Sequence, residues 1–329
     1  MLRLVASRLW QGALVLLVVS ALTFGLLAAA GGDALTGLRA DPLMTEDIIE
    51  DMRRVYGLDQ PVHVRYARWL ARLARGDLGH SVTFHAPVWR ILRPRLLNTL
   101  LLSSLALVIA SVFSLALGAW AARRGGGGWR ARLCESVVLF TASAPRTLLA
   151  LAALAFAVRT SLFAAGPASG AGANSWATAA RVLLPALVLS VPVVARLLAQ
   201  TRDGLSASLR EEFVQVARAK GLPERVVVVR HALRAALNPI ITVFGLSIGG
   251  LISGSVIVET VLGWPGLGQL SVAAVRGRDV PLLMAVVLVT STAVLAGNLL
   301  ADILQRANDP RLRHDETAHA APSANLSAA

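Results

Sequence analysis

Four stretches of this 329-residue chain carry no charged side chain over a length that can cross a bilayer. They are Leu9 to Gly32 (24 residues), Leu97 to Ala122 (26), Ile240 to Val258 (19) and Val280 to Ala301 (22). A helix rises 1.5 Å per residue, so about 20 apolar residues span the roughly 30 Å of hydrocarbon. Two further spans carry charge: Cys134 to Val158, with Glu135 near one end and Arg146 near its middle, and about Leu183 to Ala199, with Arg196 close to its exit. Six membrane helices in an all-α integral membrane protein are therefore expected. Composition agrees, with 55% hydrophobic and only 16% charged residues and a mean hydropathy of +0.63, well outside the usual globular mixture.

The net charge of +13 invites a nucleic-acid reading, but the arginines sit in short loops between apolar runs and no basic-aromatic stacking platform accompanies them. They read instead as a topology signal, because positive residues stay on the cytoplasmic side. Arg3 and Arg8 precede the first helix, Arg123, Arg124, Arg130 and Arg132 follow the second, an arginine-rich hairpin follows the fourth, and Arg306, Arg311 and Arg313 follow the sixth. Both termini are expected to be cytoplasmic. The chain then divides into 1–32 (amino terminus and first helix), 33–96 (external loop), 97–305 (helices two to six, with a cytoplasmic hairpin over 209–238) and 306–329, a tail without apolar periodicity that is expected to be disordered.

Ala28-Ala29-Ala30 after an apolar run imitates a signal-peptide cleavage site, yet 24 uncharged residues exceed the 7–15 of a signal h-region, so a retained anchor is expected. The Gly125–Gly128 run is not a phosphate loop: Walker A needs Gly-Lys-Ser/Thr, whereas Trp129-Arg130 follow and the only lysine is Lys220. If ATP drives this chain, another subunit supplies the site. No HExxH pair or Gly-x-Ser-x-Gly elbow occurs, and His63, His80 and His85 lack metal-ligand spacing. A single cysteine, Cys134, precludes an internal disulfide. No enzyme activity, metal or cofactor is expected in this chain.

The hairpin reads physically. Leu209, Phe213, Val216 and Ala217 recur at helical spacing, Gly221 suits a helix C′ position, and Pro223 suits the first turn of a second helix. Val226, Val229, Leu233 and Ala236 then form a second apolar stripe, with Arg230 and Arg234 on another face. Such a segment suits either a cytoplasmic protein partner or anionic lipid headgroups.

Here the sequence resembles the membrane permease subunits of bacterial ABC importers in the dipeptide, oligopeptide and nickel group. Ala217-Arg218-Ala219-Lys220-Gly221-Leu222, then His231-Ala232-Leu233-Arg234 and Asn238-Pro239, look like that group's cytoplasmic EAA loop. Gly254 with Val258-Glu259, Pro265-Gly266-Leu267-Gly268, Arg278-Asp279 with Pro281, Asn298-Leu299, Asp302 and Asp309-Pro310-Arg311 continue the similarity. The amino-terminal half adds Gly32-Asp33, Gly57-Leu58-Asp59, and Gly76-Asp77-Leu78-Gly79 with Ser81. Departures are Gln215-Val216-Ala217 in place of Glu-Ala-Ala, Ala34 where proline is common, and Gln305 where tyrosine is common.

The resemblance implies a type I importer permease fold in the bacterial inner membrane. It also implies a second related permease, two ATPase subunits or domains that bind ATP and magnesium, an extracytoplasmic solute-binding protein and a small solute, with peptide the leading candidate. The hairpin then becomes an ATPase-coupling element carried by Glu212, Phe213, Ala217, Arg218, Ala219, Lys220, Gly221, Leu222 and His231. Arg146, Gly250, Gly254 and Glu259 are the expected substrate-pathway residues. An arginine near a helix centre costs about 2.5–3.5 kcal/mol on insertion scales and needs a partner, either Glu259 or an anionic group of the substrate. Gly245/Gly249 and Gly250/Gly254 have the small-xxx-small spacing of closely packed helices. An ion-coupled secondary transporter would need more ionisable residues near the midplane, and a noncatalytic scaffold would move nothing; both are alternatives that partner dependence separates.

Overall fold

The computed structural model describes residues 2–30, 47, 50, 60–122, 128–160 and 175–308. Gly32-Asp33-Ala34, Gly57-Leu58-Asp59, Arg123, Arg124, residues 125–127 of the glycine run and everything from Asp309 onward lie outside the described residues.

Helices dominate: α1 (Leu2–Ala29), α2 (Val62–Ala74), α3 (Val88–Ala122), α4 (Trp129–Ser143), α5 (Arg146–Thr160), α6 (Ser175–Ser208), α7 (Glu212–Ala219), the single turn α8 (Glu224–Val226), α9 (Leu233–Leu262), α10 (Leu267–Arg276) and α11 (Val280–Asn308). A π-helical stretch, Val227–Ala232, joins α8 to α9. A two-residue antiparallel pair, β1 (His80–Ser81) with β2 (Ala86–Pro87), precedes α3.

Five helical segments are long and apolar enough to cross a membrane, and a sixth span arises only if α4 and α5 count as one, since they bend by 94° at their junction. The expected continuous span from Cys134 to Val158 is therefore corrected. Ala144 is extended (φ −72°, ψ 116°) because the ring of Pro145 disfavours helix at the residue before it. Arg146 opens α5 instead of standing mid-helix.

The chain folds into two compact units: Met1–Leu105, Arg146–Val188 and Ile252–Leu295 form the first, and Ala106–Pro145, Leu189–Leu251 and Ala296–Ala329 the second. In the first, Val88 and Leu92 of α3, Leu267, Leu270 and Ala274 of α10, and Leu282, Leu283, Ala285 and Val286 of α11 make one buried core. The amphipathic α2 meets α1 through Tyr66, whose hydroxyl lies 2.9 Å from Ser20 Oγ and whose ring packs on Phe24.

Two buried carboxylates order this unit. Asp279, fully buried, caps α11 by accepting from Leu282 N–H (3.1 Å), and its other oxygen accepts from Ser81 Oγ (2.5 Å) and Thr83 N–H (3.0 Å). Glu259, also fully buried, caps α10: Oε2 accepts from the N–H groups of Gly268 (2.6 Å) and Gln269 (3.3 Å), while Oε1 accepts from Thr99 Oγ1 (2.7 Å). Thr99 in turn accepts from Leu267 N–H (2.8 Å), so three of the four orphan donors at this helix start are satisfied. Arg95 to Gln269 (2.9 Å) and Asn98 to the Pro265 carbonyl (2.8 Å) extend the clasp between α3 and the Gly263–Gly268 turn.

In the second unit, α9 and α11 approach closely where Gly245 faces Ala301; a Cβ at Gly245 would overlap the Ala301 methyl and lie 3.2 Å from its Cα. Gly297 makes the reciprocal approach to Ile248. This is the packing that small-residue spacing anticipates. Gly250 serves differently: it faces the guanidinium of Arg196, not a helix backbone.

Candidate functional site

The hairpin between α6 and α9 belongs to the second unit. α6 ends at Ser208, and Glu211, extended at φ −66° and ψ 146°, starts α7 by accepting from Val214 N–H and Gln215 N–H. Glu212 in the first turn places negative charge where the helix dipole favours it. α7 closes in a Schellman motif: Gly221 N–H donates to the Arg218 carbonyl (2.9 Å) and Leu222 N–H to that of Ala217 (3.4 Å). Gly221 sits at φ +76°, where an L side chain is strained, so the role read for it in the sequence is met in the backbone.

Arg218 ties the two arms together, its Nη2 and Nε donating to Glu224 Oε1 (2.7 Å) and Oε2 (3.2 Å). That hydrogen bonding raises the guanidinium above its ordinary pKa. Both partners are exposed, so the pair contributes no more than about 1 kcal/mol.

The hairpin is seated on a core of its own. Leu205 and Leu209, Val214 and Ala217 of α7, and Val227, Val228 and Ala232 of the π-helical arm are buried together with Ala122 at the end of α3. Both expected apolar stripes need correction here. On α7 the buried face is Val214 and Ala217, whereas Phe213 (45% exposed) and Val216 (54%) point away. On the second arm Val227, Val228, Ala232 and Ala236 are buried, Val226 and Leu233 are only partly so, and Val229 is 60% exposed. A π-helical turn holds more residues than the 3.6 of an α-helix, so a stripe projected at α spacing rotates off the true face.

The second arm also runs through Pro239 into the fifth span without a break. Its root is clipped to α11, Asn308 Nδ2 donating to Asn238 Oδ1 (2.5 Å) and Gln305 to Thr242 Oγ1. What remains outward on the hairpin are the exposed apolar side chains of Phe213, Val216, Leu222 and Val229, with Glu212, Arg218, Ala219, Lys220 and Arg225 also exposed. Ala217 lies in the hairpin's core instead, and His231 is half-buried.

The residues expected for the substrate pathway do not all come together. Arg146 lies against Gly254 of α9, where a Cβ would overlap Nη1 and sit 3.0 Å from Cζ. Glu259 is committed to Thr99 and the start of α10 and does not reach Arg146, so the expected ion pair is not formed. Thr99 and Thr83 carry neither charge nor a motif role and are not singled out in the sequence, while Ser81 figures there only as part of the Gly76–Ser81 similarity, without this function. For the capping role itself Asp279 offered a signal, an aspartate just before Val280-Pro281 at a helix start.

A family model described as "Binding-protein-dependent transport system inner membrane component" matches residues 114–314, and its companion for the N-terminal part matches residues 1–103. The chain belongs to this permease family. It is 34% identical over 303 residues to the oligopeptide transport system permease protein AppB of Bacillus subtilis, covering 91% of this chain and 96% of that one. The glutathione transport system permease protein GsiC of Salmonella paratyphi A is 35% identical over 315 residues, 95% and 100% of the two chains. A putative peptide permease of Brucella ovis is 34% identical over 320 residues, 95% and 99%. The protein is thus an all-helical permease subunit of an ABC importer of the peptide and oligopeptide group, integral to the inner membrane. Permeases of this kind act together with a partner permease, ATPase subunits and a binding protein.

Proposed function

We propose that this permease carries a peptide or similar small solute and is driven through the 209–238 hairpin, which docks on a separate ATP-hydrolysing subunit. One observation carries the reading: the hairpin's apolar side chains divide into a buried base and an exposed set, Phe213, Val216, Leu222 and Val229, held by a backbone closed at Gly221. A firm base transmits displacement, and exposed apolar side chains with charged ones on the same hairpin are what a protein groove recognises. Names of the relatives, oligopeptide and glutathione permeases, support a peptide-like solute. The lack of a Walker A sequence supports placing ATP and magnesium on partner ATPase subunits, with no catalytic role here. The positive-residue pattern supports both termini and the hairpin lying in the cytoplasm.

In this scheme a second permease completes the pathway and a binding protein delivers solute from outside. Closure of the ATPases on ATP displaces the hairpins, and α9, continuous with the hairpin arm, carries that displacement into the membrane as a shift between outward-open and inward-open populations.

The test is purification from native membranes in mild detergent, followed by mass spectrometry, with wild type beside Gly221→Asp. A Cβ at Gly221 meets nothing within 4 Å, so the change strains φ and places a charge on the docking side without crowding the fold. Recovery of P-loop ATPases and a second permease with wild type, and their depletion in the variant, is the expected result. Wild type arriving intact and alone would refute the proposal.

A further inference from the structure

Among the described residues Arg146 has no counter-charge. It follows the 94° break between the apolar helices α4 and α5 and is half-buried. Among the described residues no carboxylate or carbonyl accepts a hydrogen bond from it, and Glu259, the acid the sequence offered, is consumed by Thr99 and the first N–H groups of α10. The guanidinium nevertheless has a shaped seat. It lies against α9 at Gly254, where a β-carbon would overlap Nη1 and the guanidinium would have to shift.

Guanidinium is a planar fork of five donors matched to the two oxygens of a carboxylate, and it stays charged at any physiological pH. A half-buried arginine at the head of an apolar helix, with no acceptor among the described residues, is suited to receive an anion that arrives from elsewhere. We propose that Arg146, seated on Gly254, binds the carboxylate of the solute during passage, and that the permease itself therefore selects solutes with a free carboxylate. This rests on the reading of the protein as a carrier of peptide-like solutes and adds the chemical group it recognises.

The experiment uses the complete importer with its binding protein in proteoliposomes, comparing ATP-driven uptake of trialanine with that of trialanine C-terminal amide. The acid-to-amide uptake ratio is measured for wild type, Arg146→Gln, Arg146→Lys and Gly254→Ala. Preference contributed by the binding protein is common to all four and cancels when ratios are compared. The expected result is a ratio at least tenfold lower in Arg146→Gln than in wild type, a smaller loss in Arg146→Lys, and a smaller loss in Gly254→Ala, which keeps the charge but displaces the guanidinium from α9.

Ratios equal to wild type in the variants that assemble, whether turnover is preserved or falls alike for both peptides, would overturn the assignment and leave Arg146 a structural or lipid-facing group. If Arg146→Gln fails to assemble, the lysine and Gly254 variants decide by the same ratio. Should wild type move neither peptide, the peptide reading fails first, and the carboxylate assignment falls with it.

Discussion

Glu259 gives the sharpest quantitative test, because its carboxylate has three defined donors and no exposure to water. In Glu259→Gln one oxygen survives. The cheaper placement keeps it toward Gly268 and Gln269, turning charge-assisted bonds into neutral ones and leaving the Thr99 hydroxyl without its acceptor. One stranded donor and weakened bonds amount to about 1–3 kcal/mol. In Glu259→Ala both backbone N–H groups lose their acceptor, and at about 1–3 kcal/mol each the loss is roughly 2–6 kcal/mol before any cavity is counted.

The assay is amide hydrogen exchange in detergent, read at Gly268 and Gln269. At about 1.4 kcal/mol per tenfold, the glutamine variant should exchange these amides roughly 5- to 150-fold faster, and the alanine variant faster still. Thr99→Val should expose the Leu267 amide instead, and the double variant should be less than additive because the two side chains share one network. Wild-type exchange at Gly268 and Gln269 in both Glu259 variants would refute the capping role.

Two further outcomes follow from packing. Gly245→Leu must separate α9 from α11 at Ala301, so the variant should lose about 1–3 kcal/mol or more of stability, seen as a lower melting temperature in detergent, whereas Leu246→Ala on the exposed face should change it little. Phe213→Ala and Val214→Ala, adjacent in sequence, should behave oppositely: the first leaves melting within about 0.5 kcal/mol of wild type while weakening recovery of the ATPases, and the second costs about 1–3 kcal/mol through lost burial and the gap it leaves.

The membrane character of the chain, four of its spans and the position of the hairpin were legible in the sequence because each rests on a local property: an uncharged run of sufficient length, or a glycine two residues before a proline. Gly221 shows how far that reaches, since its left-handed conformation follows from a single residue and its neighbours. The break before Arg146 was written in Pro145 but is easily passed over inside an apolar run, because hydropathy counts side chains and ignores the missing N–H. Stripe assignment failed within the second arm for a related reason: one π-helical turn between Val227 and Ala232 changes the residue spacing there, so Val229 falls off the buried face while Ala236 beyond it stays on it.

Partners across the fold were decided by tertiary structure alone. Small-residue spacing is identical at Gly245 and Gly254, yet one glycine admits a helix backbone and the other a guanidinium. In the sequence Glu259 reads as a pathway residue and a candidate partner of Arg146, and Asp279 as part of a motif with Pro281; only folding brought Thr99 and Ser81, 160 and 198 residues away, to complete the caps they make. Sequence determined where the chain must be apolar and where it must turn, since those demands are met within a few residues. Which buried polar group satisfies which depends on contacts between distant segments, and Arg146 shows the consequence: its charge is visible in the sequence, but that no acceptor meets it among the described residues is a property of the fold.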